Sequence, residues 1–211
     1  MESSVRIPRR RGRPPTGVSS HSEVRELLCN AGVAMLTERG FSSSGIDAIL
    51  KIVKVPKGSF YHYFRSKEEF GAELIDRYSM YFAHKLDRFL ADPGSSPLQR
   101  VAAFCEDAEK GMRRHDFRRG CLVGNLGQEA QMLPAALSEQ LRATLEDWQR
   151  RMQVCLQEAK AVGEIPASVD TQEWSQFFWV GWEGAVLRAR LERRADPLRL
   201  FSRLFLASIR A

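Results

Sequence analysis

The chain holds 211 residues, 44% of them hydrophobic and 27% charged, enough for one generous domain or two small ones with a real core. This near-average globular composition excludes a wholly disordered or fibrous protein, and no stretch approaches the ~18 uninterrupted apolar residues of a membrane-spanning helix. The formal charge of +6 sits entirely in the first third: residues 1–65 carry 11 Lys and Arg against 5 Asp and Glu, while the other 146 residues balance at 21 against 21.

A basic module joined to a neutral one points to a nucleic-acid-binding head on a body with another task. The N-terminus is basic but has no apolar block behind it, so no secretory signal is expected. A cytoplasmic protein with no membrane partner follows. Residues 1–20, rich in Arg, Pro, Gly and Ser, show neither helical nor strand period and are expected to form a flexible arm. Within it Arg11-Gly12-Arg13-Pro14 has the core pattern of an AT-hook, whose extended arginines lie in a narrow A·T-rich minor groove. Arg9 and Arg10 would track phosphates beside it.

From Ser22 onward the apolar period is helical. Val24, Leu27, Leu28, Ala31, Met35 and Leu36 form one stripe, and Gly40 ends that helix. Ser44 can cap a short second helix carrying Ile46, Ile49 and Leu50. Pro56 suits the first turn of a third helix, running through Phe60 to Phe64. Ser66-Lys67-Glu68-Glu69 has the form of a capping box and opens a long helix reaching Leu90. After the break at Ala91–Pro97, amphipathic stretches are expected at 98–114, 118–131, 134–161, 170–192 and 197–209. No run of period-two alternation appears. The fold class is therefore all-α: a three-helix head over residues 21–66, joined by a long helix to a helical body over 67–211.

Two short helices across a tight turn, behind a supporting helix, form the helix-turn-helix pattern, whose second helix enters the major groove with its N-terminal residues nearest the bases. Those residues here are Pro56, Lys57, Gly58, Ser59, Tyr61 and His62. Lys57 can reach a phosphate or a guanine edge, Gly58 permits close approach, Ser59 bonds phosphate or base, and Tyr61 suits a phosphate oxygen or a thymine methyl. Phe60 and Phe64, four apart on one face, belong to the core. Ser43, Ser44, Lys54 and Lys67 complete the expected DNA-contacting set.

Ile46-Asp47-Ala48-Ile49, Val55 to Phe64 and Ser66-Lys67-Glu68 together resemble the DNA-binding head of TetR-type repressors, over Ala31 to Leu74. Within that family the body segment Phe117 to Glu129, together with Phe178 to Ala185 and the Arg-Gly-Arg-Pro arm, is similar to acrylate-responsive members, and less closely to electrophile-sensing ones. The resemblance implies a homodimeric repressor, paired through helices 170–192 and 197–209, that binds a near-palindromic operator and is released by a small effector, acrylate or a related unsaturated acid or electrophile. Trp182, Val186, Leu198, Phe201, Leu204 and Phe205 are the expected dimer contacts. Lys54 departs from the family, standing where many such heads have Gly in the turn, so the turn is either slightly strained or avoids positive φ.

The body offers an effector site. Gly120, Gly124 and Gly127 do not make a phosphate loop, since no Gly-Lys-Ser/Thr ending follows. Cys121, Asn125 and Gln128 or Glu129 fall on one face if this segment is helical, a polar row that either lines a pocket or forms a satisfied network. Cys121 follows Arg118 and Arg119 near a helix start, a setting that lowers a thiol pKa and suits capture of an electrophile; the alternative is a small buried hydrophobe. Trp179 and Glu183 are four apart, and Glu183 inside an apolar helix needs a partner, for which Arg118 or Arg119 is the candidate. The same guanidinium could receive an effector carboxylate. The four cysteines and four histidines are too dispersed for a metal site, no cofactor is expected, and an enzyme with Cys121 as nucleophile lacks a base placed by sequence.

Overall fold

The computed structural model describes residues 21–211, so the arm with Arg9, Arg10, Arg11 and Arg13 lies outside the described residues. Among those residues the chain is all helical: α1 (His21–Arg39), α2 (Ile46–Val53), α3 (Lys57–Phe60), α4 (Lys67–Leu90), α5 (Pro97–Arg113), α6 (Leu122–Gly127), a 3-10 turn (Ala130–Met132), α7 (Ala135–Ala161), α8 (Thr171–Glu192) and α9 (Asp196–Ser208).

Local chemistry sets most of these boundaries. Ser66 accepts from the Glu69 amide (3.1 Å) at the start of α4, whose first turn carries Glu68 and Glu69. Ser96 and Gln99 close a capping box around Pro97 at the start of α5, and Asp170 accepts from the Gln172 and Glu173 amides at the start of α8. Gly40, at φ +80°, turns the chain out of α1 in the left-handed region that favours glycine.

The head is small and aromatic. Leu28, Met35 and Leu36 of α1, Ile49 and Leu50 of α2, Phe60 and Phe64 pack on Phe70 and Leu74 of α4. Phe64 and Phe70 rings lie 4.6 Å apart. The long α4 then crosses into the body, packing against α5 and α7, while α8 lies between α7 and α9. The body core centres on Phe104, Trp148, Phe178, Trp179 and Trp182.

Several expectations are corrected. Leu27 is 47% exposed and leaves the α1 stripe. Gly45, not Ser44, stands at the N-cap of α2, because the Ser44 hydroxyl is buried and turned back to the Gly40 carbonyl. Regular helix in α3 stops at Phe60, and turns continue to Phe64. The stretch expected as helix over 118–131 holds just the short α6, since three glycines within eight residues each cost ~1 kcal/mol of helix. Lys54 adopts φ 56°, the strained alternative, with its amide bonded to the Leu50 carbonyl.

Of the expected dimer contacts, Trp182, Val186, Leu198 and Phe205 are buried inside this chain. The outward apolar face of α8 and α9 keeps Leu204 of the expected set and adds Phe177, Val180, Leu187, Leu191 and Leu200, each of the six 43–78% exposed. Packing of α7, α8 and α9 within one chain consumes the inward residues first, and sequence periodicity does not separate the two faces of a doubly packed helix.

Candidate functional site

The head presents its turn and α3 outward. Lys54, Pro56, Lys57, Gly58, Tyr61 and His62 are exposed and Ser59 half-buried. Lys57 is paired at 3.0 Å with Asp47, also exposed; such surface pairs are worth little and exchange readily for a phosphate. Ser43 is exposed, with its hydroxyl donating to the Arg39 carbonyl. Two expected contacts point inward instead. Ser44 is 2% exposed, and the Lys67 ammonium donates to the Phe41 carbonyl (2.9 Å) over the Phe41 ring, so both brace the turn between α1 and α2.

Below the head, a cavity of about 500 Å³ opens between α1, α4, α5, the segment before α6, and α8. Its apolar wall is made by Val33, Tyr78, Phe82, Met112, Trp182 and Val186. Its rim carries the cations Arg77, Lys85, Arg114 and Arg119, with His115 beside them. Arg77 is held by Glu26 and Glu73, and Lys85 by Asp107 at 2.6 Å. Arg119, half-buried, makes no hydrogen bond or ion pair among the described residues. The backbone leading to it is strained: Asp116 and Phe117 both take positive φ, 49° and 53°, at ~1–2 kcal/mol each, pinned by the Phe117 amide to Met112 (2.9 Å) and by burial of the Phe117 ring.

Three titratable groups meet against the cavity. The Cys121 thiol lies between the Tyr78 phenol and the Glu183 carboxyl, and accepts from the Gly124 amide at 3.4 Å as the N-cap of α6. Burial pushes the Glu183 carboxyl up to about 7, against an opposing pull from the Cys121 hydrogen bond. Burial, then the nearby Glu183 charge, pushes the Cys121 thiol well above its usual range, and burial does the same to Tyr78. The expected lowering of the Cys121 pKa is thereby overturned: a one-and-a-half-turn helix provides less than desolvation and a neighbouring carboxylate take away. No arginine among the described residues reaches Glu183, so its expected partner is corrected to Cys121. Cys29, Cys105 and Cys155 are buried thiols pushed up to about 11, 12 and 12 by burial.

The structure therefore brings together Arg119, Cys121 and Glu183 and separates the rest of the expected effector set. Arg118 is exposed and paired with Asp116 at 3.1 Å. Trp179 is buried in the aromatic core, and Gln128 is exposed beyond the end of α6. Asn125 and Glu129 are turned to the head: the Asn125 amide donates to the Leu36 and Thr37 carbonyls, and the Glu129 carboxylate accepts from the Phe41 and Ser42 amides. The single helical face assumed for 121, 125 and 129 fails because α6 ends at Gly127. Sequence reasoning named Arg119 but missed Tyr78, Phe82 and the rest of the rim, Arg77, Lys85, Arg114 and His115. The Tyr78–Phe82 pair, four apart on α4, was a usable signal for an inward aromatic face, whereas Arg114 and His115 carried none. No group of three metal-ligating side chains that could hold an ion occurs among the described residues, and no helix among them is long and apolar enough to cross a membrane.

Known proteins match along most of the chain. Residues 28–74 match the model for bacterial regulatory proteins of the tetR family, and residues 97–205 match the tetracyclin repressor-like C-terminal domain. The transcriptional regulator AcuR of Cereibacter sphaeroides is 52% identical over 196 residues, covering 93% of this chain and 89% of that protein. The transcriptional repressor NemR of Escherichia coli K12 is 30% identical, covering 86% of this chain and 92% of that one. A crystal structure of a regulatory protein TetR from Rhodobacter sphaeroides superposes with a TM-score of 0.85 at 52% identity, covering 86% of this chain and 96% of that chain.

Proposed function

The chain belongs to the TetR family of bacterial regulators, DNA-binding transcription factors rather than enzymes, and on that premise we propose that it is a homodimeric repressor released from its operator by a small unsaturated acid, acrylate or a close relative. The observation that carries the effector class is Arg119. It is an unpaired guanidinium on a cavity that also holds an apolar wall and a carboxyl able to keep its proton near neutral pH. A small carboxylate would take two hydrogen bonds from Arg119, and its vinyl group would rest against Tyr78, Phe82 and Trp182. The likeness of Phe117 to Glu129 to acrylate-responsive repressors supports the same class.

The exposed face of α8 and α9, with Phe177, Val180, Leu187, Leu191, Leu200 and Leu204, supports pairing with a second copy. That pairing would set two heads ~34 Å apart, with Lys57, Gly58, Ser59, Tyr61 and His62 in successive major grooves and Lys54 and Ser43 on phosphates. The arm, with Arg9, Arg10, Arg11 and Arg13, would follow the adjoining minor groove. Effector entry would shift α4 and respace the heads, through differential affinity for two states.

A second reading is favoured by the contact between Cys121 and Glu183. The Glu183 carboxylate would accept the thiol proton as sulfur bonds to the β-carbon of the unsaturated acid, and that proton would return to the α-carbon. The raised thiol pKa argues for reversible binding ahead of this adduct, since thiolate is scarce at neutral pH.

Calorimetric titration with acrylate tests the effector. One molecule is expected to bind per chain, at least tenfold more weakly in Arg119→Ala, as loss of a charge-assisted bidentate contact requires. Equal binding by that variant would discard the Arg119 receptor, and no binding at millimolar acrylate would discard the effector. Intact mass after incubation separates the readings: a chain heavier by one acrylic acid, lost in Cys121→Ser, is the adduct.

A further inference from the structure

Resting on the effector reading above, we propose that Asn125, Arg190 and Glu129 form a polar joint that transmits the state of the cavity to the DNA-binding head by capping the open end of α1.

A helix ends with four carbonyls that lack partners within it. In α1 the Gly40 amide still reaches the Leu36 carbonyl (3.1 Å), so the open carbonyls are those of residues 37–39; the Ser43 hydroxyl takes that of Arg39, and the body takes those of Thr37 and Glu38. The Asn125 amide donates to the Leu36 (3.2 Å) and Thr37 (2.7 Å) carbonyls, and the Gly120 amide also donates to Thr37 (3.1 Å). Arg190 of α8 donates to the Glu38 carbonyl. Just past the helix, the Glu129 carboxylate accepts from the Phe41 (3.2 Å) and Ser42 (2.7 Å) amides. Gly40 between them has no room for a side chain, since a Cβ there would overlap a Glu129 carboxylate oxygen. The joint is cross-braced: Arg190 also donates to the Asn125 side-chain oxygen (2.8 Å) and to the Arg118 carbonyl (3.2 Å). Asn125 is 9% exposed, so its bonds to the Leu36 and Thr37 carbonyls are made away from bulk water, where leaving one unmade is costly.

The same two helices meet in the cavity. Cys121, at the start of α6, lies one turn or ~6 Å of helix before Asn125, and Glu183 lies seven residues or ~10 Å before Arg190 on α8. The Cys121 thiol faces the Glu183 carboxyl, and α6 approaches α8 so closely there that a Cβ on Gly124 would overlap that carboxyl. Ligand that draws the Glu183 carboxyl away from Cys121 and Gly124 would loosen this close approach of α6 and α8. Once they part, Asn125 and Arg190 cannot both hold each other and the α1 carbonyls. The end of α1 loses its caps, and α1 carries the rest of the head through its packing on α2 and α4. The joint is thus the two-state element that both the effector and the operator bias.

Neither Arg190 nor Glu129 lines the cavity, so Arg190→Met and Glu129→Ala separate coupling from binding. Operator affinity is read by fluorescence anisotropy, acrylate binding by calorimetry, and the head by hydrogen exchange at the Phe41 and Ser42 amides. Each variant is expected to bind the operator at least tenfold more weakly without effector and to bind acrylate at least as tightly as the wild type. Residual release by acrylate should fall below threefold, with faster exchange at both amides. Wild-type operator affinity and wild-type release in both variants would overturn the joint. If wild-type protein binds its operator but ignores acrylate, the effector reading fails and the joint is judged alone: unprotected amides with weakened operator binding in the variants sustain it, and unchanged exchange with unchanged affinity overturns it. Glu129→Ala, at a partly exposed position, keeps the test available should Arg190→Met fold poorly.

Discussion

Replacing Glu183 with Gln should make the protein more stable at neutral and alkaline pH while leaving it almost unchanged in acid. The folded protein holds the Glu183 proton to about pH 7, against an ordinary value of 4.5, because the cavity wall strips the carboxylate of water. Between those values the native state binds more protons than the unfolded chain, so stability falls as pH rises through the window from 4.5 to 7 and then levels off. At ~1.4 kcal/mol per tenfold change in proton affinity the full penalty is ~3 kcal/mol, trimmed to ~2–3 kcal/mol by partial access of solvent through the cavity. Gln keeps the shape and an acceptor for the Cys121 thiol but has no charge to desolvate. Urea unfolding of both proteins at pH 4.5, 6, 7 and 8, followed by tryptophan fluorescence, isolates this group, because every other titrating residue is common to the two. The stability difference should be near zero at pH 4.5 and favour Glu183→Gln by ~2–3 kcal/mol at pH 8. A difference that stays flat across this range would mean that Glu183 is solvated and that the chemistry assigned to the cavity is wrong.

Other perturbations bear on the head and the body separately. Lys54→Gly removes the strain of a side chain at φ 56°, so thermal stability should rise by up to ~1 kcal/mol while the slope of log operator affinity against log salt falls by ~1; a loss of stability would show that the turn is unstrained. Lys57→Ala should weaken binding to all DNA sequences alike if Lys57 serves a phosphate, and should relax preference at one base pair, by ~1–3 kcal/mol, if it serves a guanine; footprinting on substituted operators distinguishes these, and no effect on either would remove Lys57 from the interface. Leu191→Glu with Leu204→Glu places like charges on the outward face of α8 and α9, so sedimentation should show monomers and operator affinity should collapse; a persisting dimer would locate the pairing surface elsewhere.

Legibility in the sequence followed the range of the interactions. The long helices α4, α5, α7, α8 and α9 were readable to within a residue or so because their limits are local: Ser66, Ser96 and Asp170 cap their starts, and apolar spacing marks their inward faces. The outward face of α3 was readable for the same reason. Two kinds of feature were not. A short helix broken by Gly120, Gly124 and Gly127 has no periodicity to place Asn125 or Glu129, and the i, i+4, i+8 row assumed for them does not survive its early end. Arg190 bonds a carbonyl 152 residues away, so nothing near it in the chain announces its task. The same holds for Glu183, for which the sequence offered Arg118 or Arg119 as partner and whose neighbour Cys121 emerges only from the packing of α6 against α8.

The central claim is that occupation of the cavity lowers affinity for DNA. Fluorescence anisotropy on a labelled duplex from upstream of the protein's own gene, titrated with acrylate at fixed salt, measures that coupling directly. The account predicts saturable loss of the complex, tenfold or more, in the wild type and a right-shifted curve in Arg119→Ala. A complex that forms and is indifferent to acrylate in both proteins would contradict it.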